Sequence, residues 1–163
     1  MTSEMMVIDC LEVALAGQEL VGSVNVAQLA RLADNLYDAE GVLTYRVLGS
    51  IDGRQRPRIS LSVNGEINLE CQRCLGSLQY PVAVESSLLV LTAGGPTESV
   101  GIDDLDGVAA GANTEVWALV EDEVLLAIPF AARHAEGQCS TVVDSNIVHA
   151  ESPFSVLAKL KRN

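Results

Sequence analysis

The sequence Cys71-Gln72-Arg73-Cys74 puts two thiols at the spacing that lets both reach one tetrahedral metal from a tight turn. One such pair supplies half of a zinc site. A second chelating arm is available in His134 and Cys139, whose intervening Ala135-Glu136-Gly137-Gln138 contains a Gly for the turn. Three thiolates and one imidazole nitrogen close a structural zinc shell, and a closed shell leaves no position for water, so such a site pins a distant loop rather than catalysing a reaction. The same CxxC also suits a redox pair or two reduced thiols, since spacing alone does not bring position 74 to position 134. Cys10 reads as a core thiol, and His149, without a partner at ligand spacing, as a surface residue.

A second group of residues could handle phosphate. Arg54, Arg56 and Arg58 occupy alternate positions entering a strand, where an extended chain projects them from one face about 7 Å apart. Arg73 lies at the end of the same strand path, and Lys159, Lys161 and Arg162 could join from the tail, giving a candidate RNA-binding set. The alternative reading is a row of solvating charges that protects a sheet edge, and Pro57 in their midst suits an edge. Glu121, Asp122 and Glu123 form an acidic helix rim. Successive helical residues point about 100° apart, so these carboxylates do not converge as an acid and a base, and a solvated or partner-binding face is the better reading.

Enzymatic motifs are otherwise missing from the sequence. Asp103-Asp104-Leu105-Asp106-Gly107 lacks the spaced ligands of a calcium loop, Gly94-Gly95-Pro96-Thr97 lacks the Lys of a phosphate loop, and there is no GxSxG elbow. With two histidines in the chain, one of them better used as a ligand, a hydrolytic triad has little to draw on.

The elements that must position these residues follow from periodicity. Asn25-Val26-Ala27-Gln28 has the form of a capping box, and Val26, Leu29, Ala33 and Leu36 then make an apolar stripe, predicting an amphipathic helix that ends before Gly41. From Gly41 to about Val90 the period is two. Leu43, Tyr45 and Val47 alternate, Asp52-Gly53 signals a hairpin, and Ile59, Leu61, Val63, Ile67, Leu69 and Cys71 share one face, with Asn64-Gly65 as a turn or bulge between them. After the Cys-rich turn, Leu78, Tyr80, Val82 and Val84 resume the alternation. Residues 92–114 carry no period and read as a mobile acidic loop. Val116, Leu119, Val120, Val124 and Ala127 then mark a second helix, ending before Pro129. Residues 140–163 read as a loosely ordered tail. The expected fold is α+β: an antiparallel β-meander, or a small barrel-like sheet, with two packed amphipathic helices in a single domain over 1–163.

Bulk properties bound the function. At 163 residues, 48% of them hydrophobic and 4% aromatic, the chain can build one aliphatic core. The net charge of -12 repels nucleic acid at long range, yet it is segregated: between Glu98 and Glu151 Arg133 is the lone base among eleven acids. The start Met1-Thr2-Ser3-Glu4 has an acid where a signal peptide needs a base, and no apolar stretch nears the roughly 20 residues of a membrane span. A cytoplasmic protein with no membrane partner and no small-molecule substrate is expected.

Four segments in order, Leu69 to Cys74, Val120 to Pro129, His134 with Cys139, and Ser152-Pro153-Phe154-Ser155-Val156-Leu157-Ala158-Lys159-Leu160-Lys161, give the chain the look of a family. It resembles the YceD family of large ribosomal RNA subunit accumulation proteins over most of its length. The resemblance implies a bacterial, non-enzymatic factor in the synthesis, processing or stability of large-subunit (23S) ribosomal RNA, with no established catalytic residue. Two mechanisms fit it: direct contact of ribosomal RNA through the basic residues, or an acidic surface engaging a basic ribosomal protein or assembly factor. A metal-dependent nuclease ranks last, since no motif gathers carboxylates around an open metal position.

Overall fold

Alternation of buried and exposed side chains runs through Val42–Ile51 (β3), Pro57–Glu70 (β4) and Ser77–Leu91 (β5), as period-two sequence dictates. The computed structural model describes residues 6–92, 107–111 and 113–139. Before these strands come Val7–Ile8 (β1), the helix Cys10–Ala16 (α1) and Glu19–Asn25 (β2). After them come Gly107–Ala109 (β6), Thr114–Glu115 (β7) and the helix Val116–Ala127 (α2). The main sheet has the order β2-β3-β4-β5-β6, antiparallel from β2 to β5, with β6 parallel to β5, while β1 pairs with β7 separately. The fold is α+β and the sheet is open. Rather than closing into a barrel, it buries one face under the helices, while Ser60, Ser62, Asn64 and Glu66 line the other face of β4.

Ile59, Leu61, Val63, Ile67 and Leu69 of β4 are at most 1% exposed and form the floor of the core. The strand runs unbroken through Asn64-Gly65, against the turn or bulge expected there, with Asn64 opposite Ala83 and Gly65 opposite Val82. The glycine serves close approach instead, since a β-carbon at Gly65 would lie 2.8 Å from the Val42 carbonyl oxygen. At Asp52-Gly53 the expected hairpin forms between β3 and β4.

The helix expected from Asn25 is two short 3₁₀ segments, Val26–Gln28 and Ala30–Asn35. The Asn25 N–H does donate to Gln28 Oε1 (3.3 Å). Val26, Leu29 and Leu32, at most 2% exposed, recur every third residue, the step at which 3₁₀ side chains eclipse, and the stripe expected through Ala33 is exposed there. Leu36 then bridges to Leu69 in extended backbone. The helix that packs on the sheet near the start is α1, capped by Asp9, whose Oδ1 accepts from the N–H groups of Leu11 and Glu12, and ended by left-handed Gly17. Together α1, the 3₁₀ segments and α2 bury Cys10, Val13, Leu32, Val116, Val120 and Val124 against the sheet.

Within the stretch read as a loop, 92–114, residues 107–109 form β6 and Thr114 opens β7. Residues 93–106 and the tail 140–163 lie outside the described residues. No helix among the described residues is long and apolar enough to cross a membrane.

Candidate metal centre

The β4–β5 hairpin closes on the CxxC. The Cys71 N–H donates to the Gly76 carbonyl (3.0 Å) and the Leu75 N–H to the Cys71 carbonyl (2.8 Å), which curls the turn and brings both thiols to one side. Leu75 sits at φ 57°, a left-handed conformation that costs a branched side chain about 1 kcal/mol, so the tight turn is held against local preference. The second arm is placed by α2. Pro129 ends the helix, the Tyr80 hydroxyl donates to the Ala127 carbonyl (2.9 Å), and the Gln72 N–H donates to the Ala132 carbonyl (2.8 Å), which lays residues 127–132 along the hairpin. A turn follows in which the Gln138 N–H donates to Ala135 and Gly137 takes φ 82°.

These elements bring Cys71, Cys74, His134 and Cys139 together, with all four ligand atoms within 4.8 Å of one another. Cys71 Sγ lies 3.8 Å from Cys139 Sγ, and His134 Nδ1 lies 3.4 Å from Cys74 Sγ and 3.7 Å from Cys139 Sγ. A tetrahedral divalent ion with bonds of 2.0 to 2.3 Å sets its donors about 3.5 to 3.8 Å apart, close to these three separations, so the cluster could hold a metal ion. The remaining imidazole nitrogen is fixed as well. His134 Nε2 donates to the Ser77 carbonyl (2.9 Å), which leaves the Nδ1 lone pair facing the sulfurs. No cysteine is in a disulfide, and Cys10 is buried in the core away from the cluster.

The electrostatics suit thiolate ligands. Burial pushes the Cys71 thiol up, but the backbone N–H groups of His134, Cys74 and Arg73 outweigh it and bring its pKa down to about 5. Burial likewise opposes ionisation of Cys139, and the guanidinium of Arg73 and the His134 ring more than offset it. Cys74 moves the other way: the Gly76 N–H favours its thiolate, yet burial and the neighbouring sulfurs of Cys139 and Cys71 hold its pKa above the ordinary value. His134 is raised by its contacts with Cys139 and Cys71 and by the Ser77 carbonyl. Three sulfurs this close compete for charge, and a cation among them removes the competition.

The sequence comparisons agree with this constellation. The family model described as large ribosomal RNA subunit accumulation protein YceD matches residues 59–161, a span that holds both arms of the cluster. The chain belongs to the YceD family. A curated relative, the large ribosomal RNA subunit accumulation protein YceD of Haemophilus influenzae (strain ATCC 51907 / DSM 11121 / KW20 / Rd), is 25% identical over 173 residues, covering 95% of this chain and 94% of the relative. No solved structure matches it.

Among the other candidate residues of this YceD-family chain, the arginine ladder is not assembled. Arg54 and Arg56 lie in the hairpin turn, before β4 begins at Pro57, and β4 is central in the sheet rather than an edge. Asp52 gathers the cations inward: its Oδ2 lies 2.8 Å from Arg56 Nη2 and 3.4 Å from Arg58 Nε. Arg54 is exposed, with its backbone N–H on Asp52 Oδ1. Arg73 is turned into the cluster. Lys159, Lys161 and Arg162 lie outside the described residues.

The acidic rim is also altered. Glu121 is buried, 8% exposed, and accepts from the backbone N–H (2.6 Å) and Nε (2.8 Å) of Arg31, while Arg31 Nη1 reaches Asp122 (2.7 Å). Glu123 is left on the half-buried side of the helix. Arg31 as the partner of Glu121 escapes sequence reasoning because the two lie 90 positions apart.

Proposed function

We propose that this chain acts in the cytoplasm as a binding factor that supports the synthesis, processing or stability of large-subunit (23S) ribosomal RNA, catalyses no reaction itself, and carries structural zinc. The observation behind this reading is the donor geometry of Cys71, Cys74, His134 and Cys139. Three sulfurs and one nitrogen within 4.8 Å of one another suit a closed zinc shell, in which the ion would supply cross-linking and no open Lewis-acid position. A reduced compartment suits the four free thiols. The family's name ties the chain to accumulation of the large ribosomal RNA subunit.

For the immediate ligand, a specific observation favours a second reading. Arg56, Arg58 and Arg73 are engaged within the chain, which leaves Arg54 as the free side chain of that set among the described residues, while the net charge is -12. On this reading the protein engages a basic ribosomal protein or assembly factor, and its effect on RNA is indirect.

The test is retention of purified large-subunit ribosomal RNA and of basic ribosomal proteins on the full chain across a salt series, with zinc content measured on the same samples. Salt-sensitive RNA retention that drops in Arg54→Ala or in a Lys159/Lys161/Arg162→Ala variant supports direct contact. Retention of the basic proteins alone supports the indirect route. If neither is retained at low salt, both readings fail.

A further inference from the structure

Arg73 lies between the two cysteines of one metal arm, and its side chain reaches across to the other arm. Its Nε lies 2.9 Å from Cys139 Sγ, and its Nη2 lies 3.2 Å from the Ala135 carbonyl and 3.4 Å from the His134 carbonyl. We propose that Arg73 is a positioning residue of the metal centre, which presents Cys139 and the 134–139 loop to an ion already held by the hairpin cysteines. The proposal rests on the zinc reading above, and it assigns Arg73 to the site rather than to nucleic acid.

Two physical arguments carry it. The first is geometric. Cys71 and Cys74 are fixed by the hairpin hydrogen bonds, but His134 and Cys139 ride on a segment that follows α2 and has no strand of its own. Ordering such a loop costs conformational entropy, and a planar fork that bonds a thiolate and two carbonyls at once holds the loop in its ligating shape before the ion arrives. A lysine ammonium could meet one of these acceptors but could not match the fork. The second argument is charge. Three thiolates around a dication leave a net charge of about -1 on the shell, in a chain that is already strongly acidic. Arg73 is the cation that touches a sulfur among the described residues, and its guanidinium brings the local sum to zero. An N–H bond to a bound thiolate also draws electron density from the sulfur, which tunes the metal–sulfur bond.

The experiment measures zinc affinity by chelator competition for the wild-type chain, Arg73→Gln and Arg73→Lys, followed by cobalt substitution of each. Arg73→Gln should weaken zinc binding 10- to 100-fold, the usual effect of removing a group that orients a ligand, and Arg73→Lys should recover part of that loss. At saturating cobalt, the thiolate-to-cobalt charge-transfer band of Arg73→Gln should move to lower energy, because a sulfur without its hydrogen bond gives up charge more easily. A merely structural role would leave the band in place once the site is filled. Equal zinc affinity in wild type and Arg73→Gln, an unmoved band, or full recovery by lysine would each overturn the assignment. If the wild-type chain takes up no zinc at all, the metal reading itself falls, and the role of Arg73 with it.

Discussion

Asp52 shows how a single carboxylate can absorb charges that look free in the sequence. Its Oδ1 accepts from the backbone N–H groups of Arg54 and Arg56, and its Oδ2 from the Arg56 guanidinium. The Arg56 backbone bond is the largest influence on its pKa; burial opposes ionisation, yet the combined donors bring the value from 3.8 down to about 2. A depressed carboxylate pKa contributes stability that is complete above pH 4 and lost as pH falls towards 2. Asp52→Asn should therefore lower the thermal midpoint at neutral pH and flatten its acid limb between pH 4 and 2, as followed by circular dichroism. The cysteines give a second prediction at this scale. In the zinc-loaded chain a thiol reagent should react slowly. Chelation should release reactive thiols at the half-buried Cys74 and Cys139, while Cys71 and Cys10, both fully buried, stay protected until the chain around them opens. The two arms of the cluster, each a pair at chelating spacing, are legible from residue type and local spacing, while their meeting across the 60 positions from Cys74 to His134 is not. Nor are the directions of Arg73 and Glu121, since spacing within one segment says nothing of a partner 66 or 90 positions away.

Secondary elements were readable in proportion to how local their determinants are. The alternation of β4 is carried by its own residues, so Ile59 to Leu69 face the core as the pattern requires. The segment 26–35 is decided by what it covers: three apolar side chains at steps of three suit a flat sheet surface, and tertiary burial wins over an α-helical reading of the same letters. The signals for α1 were present as Asp9 and Gly17, the two caps, but seven residues are too few for periodicity to stand out. This helix approaches β3 closely enough that a methyl group at Gly49 would collide with the Val13 carbonyl. Gly49→Ala should push α1 off the sheet and destabilise the fold by about 1 to 3 kcal/mol, the range for overpacked cores, measured as a shift in the urea midpoint. Leu61→Ala, at a fully buried position in the central strand, should cost about 2 to 5 kcal/mol in the same assay.

Across the whole molecule, the surplus of negative charge decides which encounters are fast. A chain at -12 attracts basic partners from a distance, and the attraction should fade as the Debye length shrinks from about 10 Å at 0.1 M salt to 3 Å at 1 M. If the partner is a basic ribosomal protein, its association rate, measured by stopped flow, should fall across that range, with the dissociation rate changing less. An ion held by the Cys/His cluster would also have a consequence for the chain as a polymer. Cys71 and Cys139 are 68 positions apart, and everything from β5 through α2 lies between them. An ion bound to both turns that stretch into a closed ring. By the loop-closure relation used for disulfides, a ring of this length removes about 4 kcal/mol of freedom from the unfolded chain. Filling the site would thus hold the two ends of that stretch together as a covalent cross-link does in an oxidising compartment, but through bonds that a chelator can undo.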